Sequence, residues 1–306
     1  MAPPPALRID RAAAPARSRV GLGPGGLRLE PAGSGDVDGS PWDRVALVAA
    51  GPVPCQGLDA AQGGALVVAW APGVVRSVRT SDAGQLFDRR PPGADRAMGA
   101  ADANAGLLHA GDGWRAVVLP SLGDRVAALG EGPVAISPDG LTLAVADPGG
   151  VSLARLADGS PVAAHGGGPV DAVALGADDA VWVARGAAVG PAGTEPADGS
   201  RVVMLRAAAA ADAAAALHED GGVTVCGGGT AERWQGPAGT DHIAVSPDGA
   251  WVLLAGTGGV TVHRAADGAV ALEVVGARAG ALLADHRIAI GGEWGLAVAG
   301  PVADDA

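Results

Sequence analysis

The carboxy-terminal three quarters of this chain repeats itself about every 37 residues, and that period constrains the fold more than any single residue does. Ser137-Pro138-Asp139-Gly140 and Ser246-Pro247-Asp248-Gly249 each separate two short apolar runs. About eleven residues beyond each, a glycine pair opens an alternating segment: Gly149-Gly150-Val151-Ser152-Leu153 and Gly258-Gly259-Val260-Thr261-Val262. Such turns suit hairpins. Proline presets φ, aspartate caps the local backbone and glycine supplies the positive φ.

Positions equivalent to that alternating segment fall at Val74, Trp114, Val151, Val189, Val223, Val260 and Leu296, with a mean spacing of 37. Seven units of about 40 residues, each with room for four strands, predict an all-β, seven-bladed β-propeller. Within one unit, Val134-Ala135-Ile136, Leu141-Thr142-Leu143-Ala144-Val145-Ala146 and Val151-Ser152-Leu153-Ala154-Arg155-Leu156 read as strands between turns. The last unit supplies three strands, around Ala281, Ala289 and Ala297, one short of a blade. Residues 43–50 form an orphan strand upstream of the first unit. An N-terminal strand completing the last blade would close the ring and remove its open edges. The alanine-rich stretch from Arg206 to Leu217 is helical by propensity, yet the repeat register asks for strands there.

The domain organisation follows. Residues 1–41 are rich in Pro, Ala, Gly and Arg and read as a mostly disordered arm, with Leu27-Arg28-Leu29 able to add a short strand. Residues 42–300 form the propeller, and 301–306 a tail. Gly21-Leu22-Gly23-Pro24-Gly25-Gly26 matches a dinucleotide loop by letter only, since proline interrupts it and no helix follows. Residues 1–30 lack the unbroken apolar stretch of a secretory signal, and no run approaches a membrane span. Cys55 and Cys226 belong to different units and read as free thiols, which suits the cytoplasm.

Charge and composition narrow the function. Of the formal charge of −12, residues 1–30 carry +3 and the remainder −15. An acidic body repels phosphate backbones, so nucleic acid is not an expected partner. The chain has no lysine, no tyrosine, and a single asparagine, Asn104, which reads as the codon bias of a GC-rich bacterium. Without lysine there is no phosphate-loop lysine and no Schiff base. No Gly-x-Ser-x-Gly elbow and no His-Glu-x-x-His occurs. Six histidines, His109, His165, His218, His242, His263 and His286, are dispersed among the units and read as surface or turn residues.

With its Ser-Pro-Asp-Gly turns and 37-residue period, the chain resembles the WD-repeat β-propellers and their bacterial Ser-Pro-Asp-Gly relatives over residues 42–300. It departs from the eukaryotic pattern: no Gly-His opens a unit, and Trp42-Asp43 begins the orphan strand instead of closing a third strand. Asp171 and Asp241, four residues before Leu175 and Val245, are placed for the local work of the missing hydrogen-bonded tetrad. The resemblance implies a non-catalytic protein-interaction scaffold, monomeric within a larger complex. In such propellers the turns before the third strands and the inter-blade links form one gripping face. Carried over by position, that face presents Asp112, Asp147, Arg185, Glu219, Asp220, Glu293 and Trp294, with Asp241 and Arg278 nearby. Its acidity implies a basic protein partner. Trp70, Trp182 and Trp251, in second strands, are expected to pack against neighbouring blades. No catalytic residue, cofactor or metal is assigned. The alternative is a propeller hydrolase of lactonase or glycosidase type, with axial carboxylates or a Ca site.

Overall fold

The computed structural model describes residues 14–15, 17–23, 26–31, 40–42, 44–111, 113–126, 129–192, 194 and 197–302. The strands form seven antiparallel sheets, one per blade of a β-propeller. We number the blades in chain order and letter their strands A to D from the axis outward.

Blade 1 runs Gly57–Ala61, Leu66–Ala71, Val74–Arg79 and Gly84–Arg89, and blade 2 Arg96–Gly99, Ala105–Ala110, Gly113–Val118 and Gly123–Val126. Blade 3 is Val134–Ile136, Thr142–Asp147, Gly150–Arg155 and Pro161–Gly166. Blade 4 departs from the expected four strands, with three described ones: Ala172–Leu175, Val181–Arg185 and Ala188–Pro191. Blade 5 comprises Val202–Ala207, Ala213–His218, Gly222–Gly227 and Thr230–Gln235, and blade 6 Thr240–Val245, Trp251–Gly256, Gly259–Arg264 and Val270–Val275.

Blade 7 closes the ring. Ala279–Leu282, Ile288–Gly292 and Gly295–Pro301 are its first three strands, and Arg44–Gly51 is the fourth. It pairs antiparallel to Gly295–Pro301, with Leu47 opposite Ala299 and Gly51 opposite Leu296. Its buried residues alternate, Val45, Leu47 and Ala49 facing inward, as one face of a strand requires. Just before it, Trp42 is fully buried and its Nε1 donates to the His286 carbonyl at 2.6 Å. The Trp42 ring meets Trp251 edge-on at 4.9 Å. The seam expected from the orphan strand is thus present, fixed by a strand and by an aromatic anchor.

Upstream, within the stretch read as an arm, Arg17–Gly23 and Gly26–Pro31 form a hairpin. It extends blade 6 through a parallel pairing with Val270–Val275. Leu27, Arg28 and Leu29 lie in its second strand, and Leu29 is buried in the core between blades 6 and 7. Residues 301 and 302 continue from the last strand, and 303–306, the remainder of the expected tail, lie outside the described residues.

The core is divided among the blade interfaces instead of lying in one central mass. Seven apolar clusters are present, one between each pair of adjacent blades. This is why the strands are apolar on both faces. Trp70, Trp182 and Trp251 are buried in these clusters as expected. In the alanine-rich stretch, Ala213–His218 is a strand with Ala214, Ala215 and Ala216 buried. Close packing there needs small side chains, and pairing to both neighbouring strands overrides helical propensity.

The two Ser-Pro-Asp-Gly sequences form the A–B turns of blades 3 and 6 with the same bonding. Ser137 Oγ accepts from the Thr142 N–H at 2.9 Å and donates to Asp139 Oδ1 at 2.6 Å. Ser246 Oγ accepts from the Trp251 N–H at 2.9 Å and donates to Asp248 Oδ1 at 2.5 Å. Gly140 and Gly249 take φ of 68° and 74°. A Cβ on Gly140 would stand 2.8 Å from the Ala103 Cβ, and one on Gly249 2.9 Å from that of Ala213. Each turn also accepts a backbone bond from the preceding blade: Asp102 N–H to the Pro138 carbonyl, and Ala210 N–H to the Pro247 carbonyl, both 2.8 Å. Blades 1, 4 and 7 use another turn, with consecutive left-handed residues at Gln62-Gly63, Asp178-Asp179 and Asp285-His286. A–B turn chemistry therefore recurs every three blades.

Candidate functional site

Because strands within a blade are antiparallel, the B–C turns and D–A links share one face, the link face. The A–B and C–D turns share the other, the turn face. Sequence placed the gripping surface on the link face. Asp112 lies outside the described residues. Asp147 is exposed and caps its own turn, accepting from Gly149 N–H at 2.7 Å and Ser152 Oγ at 3.1 Å. Asp220 does the same in blade 5, accepting from Gly222 N–H at 2.9 Å and from Arg233 at 2.8 Å. The Gly222 N–H, ahead of smaller effects from Ser200 and Arg233, holds the Asp220 carboxyl below its usual value. Glu219 and Glu293 are exposed.

Arg185 differs from expectation. It is 3% exposed, and its guanidinium donates to the carbonyls of Thr194 at 2.5 Å and Gly166 at 3.4 Å. Those bonds tie blade 4 to the end of blade 3, so this arginine staples the fold and offers no accessible anchor. Trp294 is half-buried against the core between blades 6 and 7, with Nε1 donating to the Gly276 carbonyl at 3.0 Å. At the same junction Arg278 pairs with Asp241 at 2.8 Å. Burial raises the Asp241 carboxyl, and Arg278 opposes it. Asp241, Arg278, Glu293 and Trp294 thus gather on blades 6 and 7, whereas Asp147, Glu219 and Asp220 are spread over blades 3 and 5.

Asp171 repeats the Asp241 arrangement, taking Arg201 of the next blade's entry at 2.7 Å and the Gly186 N–H at 2.6 Å. Both aspartates do the local latching work that their spacing suggested. The consequence is electrostatic: much of the link face's acidity is offset by arginines of the same face.

On the turn face the ion pairs lie in the C–D turns, where Arg79 meets Asp82 at 2.6 Å and Arg264 meets Asp267 at 2.5 Å. Its A–B turns carry Asp102, Asp139, Asp178, Asp179, Asp212, Asp248 and Asp285, all exposed, against one arginine, Arg287 of blade 7. The signal was present in the sequence, since the aspartate of Ser-Pro-Asp-Gly belongs to this set.

These turns surround one end of an axial channel. The inner strands of all seven blades enclose a cavity of about 260 Å3 there, walled chiefly by Met98, Ala135, Val173, Leu205, Ala244 and Leu282. A second cavity of about 200 Å3 lies at the link-face end, bordered by Arg96, Trp114, Glu131, Asp171 and Met204. Arg206 lines both. Across the axis from it stands Asp59 of blade 1, 4.0 Å away. Asp59 also accepts from the Ala60 N–H at 3.0 Å and the Gly99 N–H at 3.3 Å. Burial pushes its carboxyl up, against the pull of Arg206 and the two N–H groups.

Three histidines expected at the surface are buried instead: His218, His242 and His263. His218 spans the Ser200 carbonyl at 2.7 Å and Thr224 Oγ1 at 2.8 Å; His263 spans the Gly268 carbonyl at 2.9 Å and Thr261 Oγ1 at 2.8 Å. A carbonyl on Nδ1 makes that nitrogen the donor, so Nε2 accepts from the threonine, as a neutral ring allows. His242 stands against Trp70, ring centroids 5.7 Å apart, and burial with nearby Arg206 and Arg96 lowers its pKa to about 3. Repeat spacing says which strand holds a histidine. It does not say which side of that strand meets the neighbouring blade.

Among the described residues no group of three or more His, Cys, Asp or Glu side chains is arranged to hold a metal ion, and no helix is long and apolar enough to cross a membrane. Fold and channel together define a seven-bladed β-propeller with a polar bridge across its axis. No protein-family model matches the chain, and no curated protein matches it.

Proposed function

We propose that this propeller is a non-catalytic docking platform of the WD-repeat-like, Ser-Pro-Asp-Gly kind, and that it receives a basic segment of a partner protein on its turn face. The observation that carries this reading is the segregation of charge. Seven exposed A–B turn aspartates against one arginine, Arg287, ring an apolar-walled opening, while on the link face Asp171, Asp220 and Asp241 are each paired with an arginine. A ring of one sign around a concave mouth concentrates potential and steers an oppositely charged segment. The apolar wall inside offers burial for one side chain of that segment. The free, buried thiols of Cys55 and Cys226 support a reducing cytoplasmic setting, where the monomeric propeller would serve a larger complex. In the hydrolase alternative, Asp59 would be the deepest axial carboxylate, already engaged by Arg206.

The test compares the two faces at equal charge change. One variant carries Asp102→Asn, Asp178→Asn, Asp212→Asn and Asp285→Asn; the other carries Glu131→Gln, Asp147→Asn, Glu219→Gln and Glu293→Gln. Binding of a fluorescent nona-arginine peptide is read by anisotropy over a salt series. The turn-face variant should lose about tenfold or more in affinity, with a shallower salt dependence. Equal losses in the two variants would overturn the assignment.

A further inference from the structure

The link-face end of the channel holds more unmet hydrogen-bond donors than a closed structural element needs. Arg96 begins the inner strand of blade 2 and Arg206 lies in the inner strand of blade 5, and both line the cavity of about 200 Å3. Arg96 is exposed, and among the described residues no carboxylate stands within 4.0 Å of it. Arg206 is more confined. Its Nη1 reaches the Leu205 carbonyl at 3.4 Å, its nearest acid is Asp59 at 4.0 Å, and its Nε is buried without a partner.

The rim carboxylates do not answer this demand. Asp171 is occupied by Arg201 at 2.7 Å and by the Gly186 N–H at 2.6 Å. Glu131 is exposed at the cavity edge and, among the described residues, forms no ion pair within 4.0 Å. A buried guanidinium donor left without an acceptor is unfavourable by the desolvation of that group. Two guanidiniums on the wall of one cavity also repel unless a negative group comes between them. Planar forks of N–H donors match the oxygens of carboxylate and phosphate.

We propose that this end of the channel is a binding site for a small oxyanion, a carboxylate or a phosphate, held between Arg96 and Arg206. The site lies at the mouth opposite the acidic turn face, so it stands or falls independently of the docking surface proposed above.

Isothermal titration calorimetry tests it, with sodium phosphate and sodium succinate as separate titrants and ionic strength held constant with sodium chloride. Saturable binding of either titrant to the full chain is expected. Phosphate alone, succinate alone, or both identifies the source of the oxygens, and each result supports the site. Arg96→Gln, at an exposed position, should retain the circular dichroism and thermal transition of the wild type. It should weaken binding about tenfold or more. Arg206→Gln should weaken it at least as much. Binding by neither titrant up to about 10 mM, or binding unchanged in Arg96→Gln, would overturn the proposal.

Discussion

Asp59 and Arg206 meet across the propeller axis at 4.0 Å, one from the inner strand of blade 1 and the other from that of blade 5. Their side chains are 16% and 19% exposed, so both are largely withdrawn from water. Removing one partner leaves the other charge poorly compensated, which is more damaging than removing both. Arg206→Met should destabilise the fold by about 3 kcal/mol in urea denaturation, and Asp59→Asn by somewhat less. The double variant should fall short of the sum by about 1 kcal/mol or more. Strict additivity would mean that the two do not interact.

The seam gives a second expectation. Leu47 is 1% exposed and Trp42 fully buried. Leu47→Ala should cost about 2–5 kcal/mol and Trp42→Ala about 3–5 kcal/mol. Trp42→Phe retains an aromatic ring but loses the bond to the His286 carbonyl, worth about 1 kcal/mol. Urea midpoints measured on the three variants would check this order. A Trp42→Ala protein as stable as the wild type would show that the segment does not lock the ring.

Ser137 and Ser246 are equivalent in bonding though they stand in blades 3 and 6. Ser137→Ala and Ser246→Ala should each destabilise by about 1–2 kcal/mol, since each leaves a buried strand N–H without its acceptor. Gly140→Ala should do more harm than either serine change, because strain at positive φ adds to the contact with Ala103. Thermal unfolding of the set measures it, and unequal serine effects would contradict the structural equivalence.

A pH dependence follows from His242. Burial foremost, then Arg206 and Arg96, lowers its pKa from 6.5 to about 3. His218 and His263 are lowered as well, chiefly by burial. The unfolded chain therefore binds more protons below pH 6.5, so the stabilisation is complete above that value and is lost as pH falls toward about 3. His242→Gln removes one such group. Its stability should fall less steeply than that of the wild type from about pH 7 to about pH 4, by up to about 1.4 kcal/mol per pH unit. Parallel curves would show that His242 takes up no proton on unfolding.

Much of this architecture was legible from local signals. The spacing of Val74, Trp114, Val151, Val189, Val223, Val260 and Leu296 places each in the third strand of its blade. The orphan strand before blade 1 pairs where a missing strand was inferred. Blade 4 was less legible. Val189 has no glycine pair before it, and its unit shows three described strands. The candidate site was legible only as a set of positions. Arg185 reads as an exposed anchor from its place before a third strand, yet the carbonyls of Thr194 and Gly166 draw it into the interior.

The division has a physical basis. Turn bonding such as Ser137 to Asp139, and the apolar character of strands buried on both faces, depend on residues close in the chain, so order and spacing alone convey blade number and closure. Whether a charge is solvated, paired or buried depends on neighbours through space. Ring closure alone brings Asp59 to Arg206, Trp70 to His242 and Trp42 to Trp251. Those meetings, with the gathering of the A–B turn aspartates around one mouth of the channel, arise from packing seven wedges around one axis and have no counterpart in the one-dimensional period.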